Sequence, residues 1–292
     1  MKPPVFDYAA PKTVDEAVAL LGRHEGEAKV LAGGQSLMPL LNMRLARPAL
    51  LVDIARVDGL DQIREVDGGL AIGAMTRQRA VEHSELVRTR FPLLHTAILN
   101  IAHPQNRNQG TVGGSLAHAD PAAELPAVAV AVDAEFRAVG PNGERRIKAA
   151  DFFVTYLTTA LEPTEVLTEV RFPALPPRTG WSFIELARRH GDFALTGVVA
   201  RLATEGSGRC ASAQIVLFGV GTTPVRARAA EQVLVGEPLS APLFERAGLT
   251  ASQEIDEPLS DVHASADYRR DLARVLTRRA LAEAARRATE KS

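Results

Sequence analysis

Two short stretches hold the residue types best suited to gripping an anion. They are KVLAGGQSLMP (Lys29–Pro39) and QGTVGGS (Gln109–Ser115). Each sets a Gly-Gly pair between apolar residues and a small polar one. Glycine lets the backbone approach a ligand without a Cβ in the way, and unpaired N–H groups ahead of a helix point at negative charge along a favourable dipole. That combination suits phosphate. Neither stretch carries a lysine: AGGQSL lacks the Gly-Lys-Ser/Thr of a Walker loop, and neither reads as the Gly-x-Gly-x-x-Gly of a dinucleotide-binding βαβ unit. Thr111 adds a hydroxyl, and Asn106, Arg107 and Asn108 add amides and a guanidinium, a set that suits a diphosphate. A Gly-Gly turn is often only a turn, so the residues leave two readings open: plain turns, or an anion- or nucleotide-binding pair.

Other chemistries fit less well. Ser115, His118 and Asp120 lie within six residues, and a base and its orienter so close in sequence rarely reach the geometry that activates a serine. Ser36 is not in a Gly-x-Ser-x-Gly elbow. His118 with Asp120 lacks a third metal ligand, and Asp120-Pro121 reads more simply as a turn. No catalytic acid–base pair and no metal site is assigned. The pairs Arg188-Arg189, Arg278-Arg279 and Arg286-Arg287 sit in a chain of formal net charge −1, which favours solvated faces or subunit contacts over a nucleic-acid surface.

The elements that must position the glycine turns can be read around them. Thr13 reads as the N-cap of a helix with Glu16 at the capping-box position and Gly22 ending it. The strand AKVLA then enters the first turn, and Ser36 is placed to cap a second helix whose first turn tolerates Pro39. Strands follow in ALLVDIA, DQIREV and GLAIGAM, and helices near Arg77–His83 and Phe91–Ile101. After the second turn comes an apolar helix that begins around Leu125, with Glu124 at its mouth and Pro126 marking its first turn. FPALPPRTGW (Phe172–Trp181) is the best linker, because Pro176-Pro177 continues neither a helix nor a central strand. Beyond it, strands in WSFIELARR, ALTGVVARLA and ASAQIVLFGV precede helices near Ala227–Leu234, Pro242–Glu254 and Tyr268–Arg287, the pattern of a small α+β domain.

With 292 residues, two domains are favoured over one. Hydrophobic residues at 46% and charged residues at 24% describe an ordinary globular chain, with nothing electrostatic that points to nucleic acid or an anionic membrane. Cys210 is the single cysteine, which excludes an intrachain disulfide and any cluster built from several thiolates of this chain; a buried structural thiol is expected. The start MKPPVFDYAAP has no apolar h-region or twin arginine, and no apolar run approaches membrane-spanning length. A cytoplasmic location without a transmembrane segment is expected.

The stretches VLAGGQSLMPLLNMRLARP, IGAMT, HPQNRNQGTVGGSLAHADPAAELPAV, FIELARRHGDFAL and SADYRRDLARVLTRRAL resemble the FAD-binding medium subunits of the molybdenum hydroxylases, the xanthine dehydrogenase and carbon monoxide dehydrogenase group. They span nearly the whole chain in that family's order. The resemblance implies an α+β protein: an FAD-binding domain of the vanillyl-alcohol-oxidase type over 1–175, made of two α/β subdomains of about 1–55 and 56–175, and a C-terminal α+β domain over 176–292 with a small antiparallel sheet and helices. It implies non-covalent FAD held between the two glycine loops, with the pyrophosphate on their backbone amides. Carried over, the first loop is Leu31, Ala32, Gly33, Gly34, Gln35, Ser36 and Leu37, and the second is Thr111, Gly113, Gly114 and Ser115. Glu124 falls where relatives place a carboxylate near the flavin, and Ile101 and Leu167 match apolar positions near it.

Some positions depart from the family's pattern. Gln109 replaces an arginine common among relatives, and Ile184 stands where some carry a lysine near the flavin. His103 and His118 match no covalent flavin attachment. The implied role is electron transfer: a molybdopterin-binding large subunit oxidises the substrate, a two-cluster iron–sulfur small subunit relays electrons, and this subunit's FAD passes them to an external acceptor, in a dimer of heterotrimers. A self-contained FAD oxidoreductase acting on a small molecule is the alternative; it needs a base over the flavin that the sequence does not identify. An assembly protein that has lost the cofactor is a third reading, against which the intact glycine loops argue.

Overall fold

The computed structural model describes residues 2–24 and 26–290; Met1 and Ser292, the outer ends of the expected domains, lie outside the described residues. The chain opens with β1 (Asp7–Ala9), α1 (Val14–Arg23), β2 (Ala28–Leu31), α2 (Leu37–Asn42) and β3 (Leu50–Asp53). The three strands form a parallel sheet in the order β1-β3-β2. α1 starts at the expected cap: Thr13 Oγ1 accepts the Glu16 N–H at 3.1 Å, while Glu16 Oε2 accepts the Lys12 N–H at 2.7 Å. Its end differs from the expected one. Gly22 lies inside the last turn, where an interior glycine costs only about 1 kcal/mol against alanine, and the left-handed turn comes at Gly26, φ 88°. Ala17, Val18 and Leu21 bury one face of α1 in a cluster with Leu50, Val52 and Ile54.

β4 (Ile63–Val66) and β5 (Gly69–Gly73) lead into α3 (Gln78–His83), α4 (Glu85–Arg90), α5 (Pro92–Asn100), α6 (Pro104–Gln109), α7 (Val112–His118) and α8 (Glu124–Ala131). The chain returns through β6 (Glu135–Gly140), β7 (Gly143–Lys148), the short α9 (Ala149–Phe152), the hairpin of β8 (Phe153–Thr155) and β9 (Thr158–Thr159), and β10 (Val166–Pro173). β4, β5, β10, β6 and β7 form an antiparallel sheet in that order. α4 and α6 are helices that the sequence reading passes over. Ser84 caps the first by accepting the Val87 N–H, and Pro104 sits in the first turn of the second, where its missing N–H removes no helical bond. Every residue of α8 is buried.

β11 (Thr179–Leu186), β12 (Thr196–Thr204), β13 (Cys210–Phe218) and β14 (Val225–Arg226) form a second antiparallel sheet, followed by α10 (Arg228–Leu234), α11 (Ala241–Gln253) and α12 (Ala266–Glu290). Strand periodicity gives this sheet two apolar faces. Val198, Ala200, Leu202, Ile215 and Leu217 pack with α10, α11 and α12, whereas Trp181, Phe183, Val199, Val216 and Phe218 join the core around α5, α7 and α8. Cys210 is fully buried and its thiol is pushed up to about 11, mainly by burial, so it is a structural thiol. The chain mixes α and β throughout, with a small antiparallel sheet and helices in its C-terminal part. No described helix is long and apolar enough to cross a membrane.

Candidate cofactor-binding site

The two glycine turns meet. Residues 32–36 leave β2 and enter α2, and a Cβ added at Gly33 would collide with the Gln109 carbonyl and stand 2.9 Å from Gly110 Cα. On the other side of the contact, a Cβ on Gly114 would lie 3.5 Å from Ala32 Cβ. Asn106 Nδ2 donates to Gln35 Oε1 at 3.4 Å, and Gln35 Nε2 donates to the Gly33 carbonyl at 3.2 Å. Stretches of chain some eighty residues apart therefore build one surface.

Their backbones are used differently. Gly34 sits at φ 71°, a conformation that glycine enters without the Cβ penalty. Among the described residues, the N–H groups of Gly33, Gly34, Gln35 and Ser36 find no acceptor, and Ser36 makes no side-chain cap bond although it precedes α2. In the second turn the N–H groups from Val112 to Ser115 are spent: Val112 N–H on the Thr76 carbonyl at 3.0 Å, Gly113 N–H on Ala74 at 2.9 Å, Gly114 N–H on Thr111 Oγ1 at 3.0 Å and Ser115 N–H on Thr111 at 3.1 Å. Polar backbone groups need partners, so four adjacent free donors on a half-buried, Cβ-poor surface fit the diphosphate of a dinucleotide such as FAD. The expectation that Ser36 caps α2 is corrected, and the run of free N–H groups lies in the first turn, beside a second turn whose N–H groups from Val112 to Ser115 are bonded within the chain.

Arg107 is a second correction. Its guanidinium is not free for an anion: Nε donates to Glu82 Oε2 at 2.8 Å and Nη1 to the carbonyls of Ile101 and Ala102 at 2.8 and 3.2 Å, with Arg107 only 5% exposed. The hydrogen bond from Arg107, and then that from Arg79, hold the Glu82 carboxyl below its ordinary value against the effect of burial. The work of Arg107 is to pin the turn at Ala102, whose φ is 43°. Gln109 contributes through its backbone. Its carbonyl takes the Arg77 guanidinium and lies against Gly33, and Gln78 N–H bonds the neighbouring Gly110 carbonyl at 2.9 Å.

Leu31 closes β2 and Leu37 opens α2, so both frame the first turn. Ile101 ends α5 and Leu167 lies on β10; both belong to the main core cluster rather than to the contact between turns. Glu124 is the first residue of α8, 7% exposed, with its carboxyl pushed up to about 8 by burial and then by the charge of Glu185. Ile184 packs toward α10–α12, on the far side of β11; alternation makes Glu185 the neighbour that faces α8. Asp120 Oδ1 accepts the Ala122 N–H at 2.8 Å, which makes it a turn residue, and burial lowers the pKa of His118. Among the described residues, no group of three or more His, Cys, Asp or Glu is arranged to hold a metal. Arg77 and Ala74 are site-supporting residues that sequence reasoning missed, because each acts on a turn more than thirty residues away through a backbone contact.

The family described as the FAD binding domain in molybdopterin dehydrogenase matches residues 4–175, and the carbon monoxide dehydrogenase flavoprotein C-terminal domain matches residues 181–284. The chain is 44% identical over 288 residues to the 6-hydroxypseudooxynicotine dehydrogenase complex subunit alpha of Paenarthrobacter nicotinovorans, covering 99% of this chain and 97% of that one. It is 41% identical over 281 residues to the carbon monoxide dehydrogenase medium chain of Hydrogenophaga pseudoflava, covering 96% and 97%. Against a solved structure of carbon monoxide dehydrogenase from the same organism, the TM-score is 0.95 at 42% identity, with 98% of this chain and 99% of that chain covered. The chain therefore belongs to the family of FAD-binding medium subunits of molybdenum hydroxylases, the carbon monoxide dehydrogenase and xanthine dehydrogenase group of oxidoreductases.

Proposed function

We propose that this chain holds one FAD non-covalently across the paired turns and serves as the electron-transfer subunit of a molybdenum hydroxylase complex. The observation that carries the reading is the run of free N–H groups from Gly33 to Ser36, laid against a second turn whose N–H groups from Val112 to Ser115 are engaged within the chain. Leu31 to Leu37 receive the diphosphate; Thr111, Gly113, Gly114 and Ser115 set the height and angle of that surface. Ile101, Glu124 and Leu167 line the side toward the flavin ring. Bound FAD supplies the redox chemistry, while the chain binds, orients and shields it. In this reading residues 1–175 form the FAD domain, with subdomains of about 1–55 and 56–175, and residues 176–292 close over it. The partners are a molybdopterin-binding large subunit and a two-cluster iron–sulfur small subunit, in a cytoplasmic dimer of heterotrimers that passes electrons to an external acceptor. The names of relatives support this assembly, since they are a medium chain and a complex subunit.

Titration of the purified full chain tests the cofactor half: about one FAD per chain, released by acid, with no hydroxylation by the chain alone. A protein that stays colourless at saturating FAD sinks it. Co-expression with the two genes expected to encode the partners tests the other half, and a medium chain that elutes alone under those conditions counts against the assembly.

A further inference from the structure

Arg269 of α12 is the C-terminal counterpart of Arg107. Both are all but excluded from water, and each spends its guanidinium on two backbone carbonyls and one carboxylate. Arg269 Nη1 donates to the Leu195 carbonyl and, at 2.8 Å, to the Gly219 carbonyl, while Nη2 donates to Asp261 Oδ2 at 2.7 Å. One buried nitrogen therefore holds two turns to each other. The planar fork of a guanidinium fixes their spacing, which an ammonium on a flexible stem does not. Other arginines already tie α12 to its own surroundings: Arg270 donates to the Ile255 carbonyl, Arg274 pairs with Glu245, and Arg287 donates to the Trp181 carbonyl.

The two turns that Arg269 holds stand at one end of the C-terminal sheet. Gly197 pairs with Phe218, so Leu195 precedes β12 where Gly219 follows β13. Both reach the part of the chain that matches the FAD-binding family. Gly219, at φ 71°, donates its N–H to the Pro121 carbonyl at 2.7 Å. The loop from β11 to β12 is closed by the Leu195 N–H on the Leu186 carbonyl at 2.8 Å, and it carries Gly191 at φ 88°. A Cβ on Gly191 would run into the His103 ring and stand 3.0 Å from the Ala102 carbonyl. That carbonyl is one of the two that Arg107 holds from the other side. Arg107 thus fixes one wall of this seam and Arg269 the facing one. Ile101 ends the first wall, and Pro121 lies just ahead of Glu124 at the mouth of α8.

We propose that Arg269 is a positioning residue for FAD: by fixing the Leu195 and Gly219 turns, it sets how closely the C-terminal sheet seats on Ala102 and Pro121, and so shapes the flavin side of the cofactor site. The proposal rests on the FAD reading above, in which Ile101 and Glu124 line that side. Arg269→Lys keeps the charge beside Asp261 and gives up the fork, so the two carbonyls are no longer held at a set spacing.

Titration of the full chain with FAD is expected to give Arg269→Lys a Kd about tenfold above the native one, the size of a typical coupling between sites. The visible circular dichroism of the bound flavin should change shape as well, a signal that reports the surroundings of the ring and not the folded fraction. Leu276→Val is the control, because Leu276 lies further along α12 in the core on the opposite face of the sheet. Per folded chain, its Kd and flavin spectrum should match the native ones. In the FAD-free chain, amide exchange at Gly219 should quicken in Arg269→Lys and not in Leu276→Val. A native Kd and flavin spectrum for Arg269→Lys overturn the proposal. Equal changes in Arg269→Lys and Leu276→Val do the same, since they make Arg269 a staple of the fold alone. If Arg269→Lys does not fold, Asp261→Asn decides: it keeps the arginine but removes the carboxylate that holds Nη2, and an unaltered flavin spectrum there overturns the proposal. A native chain that binds no FAD overturns the cofactor reading and the positioning role with it, whereas a native chain that binds FAD beside an indifferent Arg269→Lys overturns the positioning role alone.

Discussion

The two glycine turns share a string, Gly-Gly followed closely by serine, and solve different physical problems with it. In the first, Gly34 at φ 71° bends the chain so that four successive N–H groups face outward unpaired. In the second, Gly113 and Gly114 belong to α7, neither has a positive φ, and their N–H groups are bonded within the chain. Gly113 is needed there for closeness: a Cβ would stand 2.6 Å from Ala74 Cα and 2.7 Å from the Ala74 carbonyl. One turn presents donors and the other is a packing joint beneath it. A Gly-Gly pair thus reports close approach, and only its neighbours decide whether the approach is to a ligand or to more protein.

The packing side of this contrast is broken hardest at Arg107. Replacing it by alanine leaves Glu82, whose side chain is 11% exposed, with Arg79 alone and frees two carbonyls; loss of one member of a buried pair costs about 3–5 kcal/mol. Arg107→Ala is expected to lower the thermal midpoint of the FAD-free chain more than any other change considered. A variant that keeps its midpoint but loses FAD would return Arg107 to the ligand and erase the distinction between the turns.

Next in size is a matched pair of glycine variants. Gly113→Ala forces a methyl into Ala74 and should destabilise the FAD-free chain by about 1–3 kcal/mol, as overpacking does. Gly34→Ala puts a Cβ in a left-handed residue beside Met38 Cγ, at 3.2 Å, for about 1–2 kcal/mol. The two differ in what FAD reports. Calorimetric titration should show at least a tenfold loss of affinity for Gly34→Ala, whereas the folded fraction of Gly113→Ala should bind nearly as the native chain does. Equal affinity losses in both would mean that the turns act alike.

Much of this arrangement was legible before the structure. Thr13 with Glu16, the AKVLA strand and the Pro176-Pro177 break between β10 and β11 carry local signals that need no partner, and the glycine strings mark close approach. What escaped depends on residues far apart in the chain. The run Pro104–Gln109 is polar and looks like a solvated loop; it is a helix because Arg107 meets Glu82, twenty-five residues earlier. β10 sits between β5 and β6, yet its interior carries Thr168 and Glu169, which break the apolar run expected of a central strand. Those residues are satisfied by the Arg137 carbonyl and by Arg64, partners no local window contains, with Arg171 of the same strand adding a second cation. Which of the two turns keeps a run of unpaired donors was equally out of reach, because a free N–H is defined by what fails to come near it.

The smallest test compares the two hydroxyl residues that precede α2 and α7. Thr111 Oγ1 accepts the Gly114 N–H and is a working cap, so Thr111→Ala should cost about 1 kcal/mol of stability, read as a shift in the denaturant midpoint at constant slope. Ser36 holds the same place before α2, but its backbone is already helical (φ −98°, ψ −42°) and its hydroxyl caps nothing. Ser36→Ala should leave the midpoint of the FAD-free chain within about 0.5 kcal/mol, the range of a substitution that removes no native contact. Its effect should appear only with FAD present, as a weaker gain in midpoint on adding the cofactor, because a hydroxyl unused by the fold remains available to the ligand. A midpoint loss for Ser36→Ala matching that of Thr111→Ala would show that the serine caps α2 in solution, and would leave the first turn one donor short of the role argued for it.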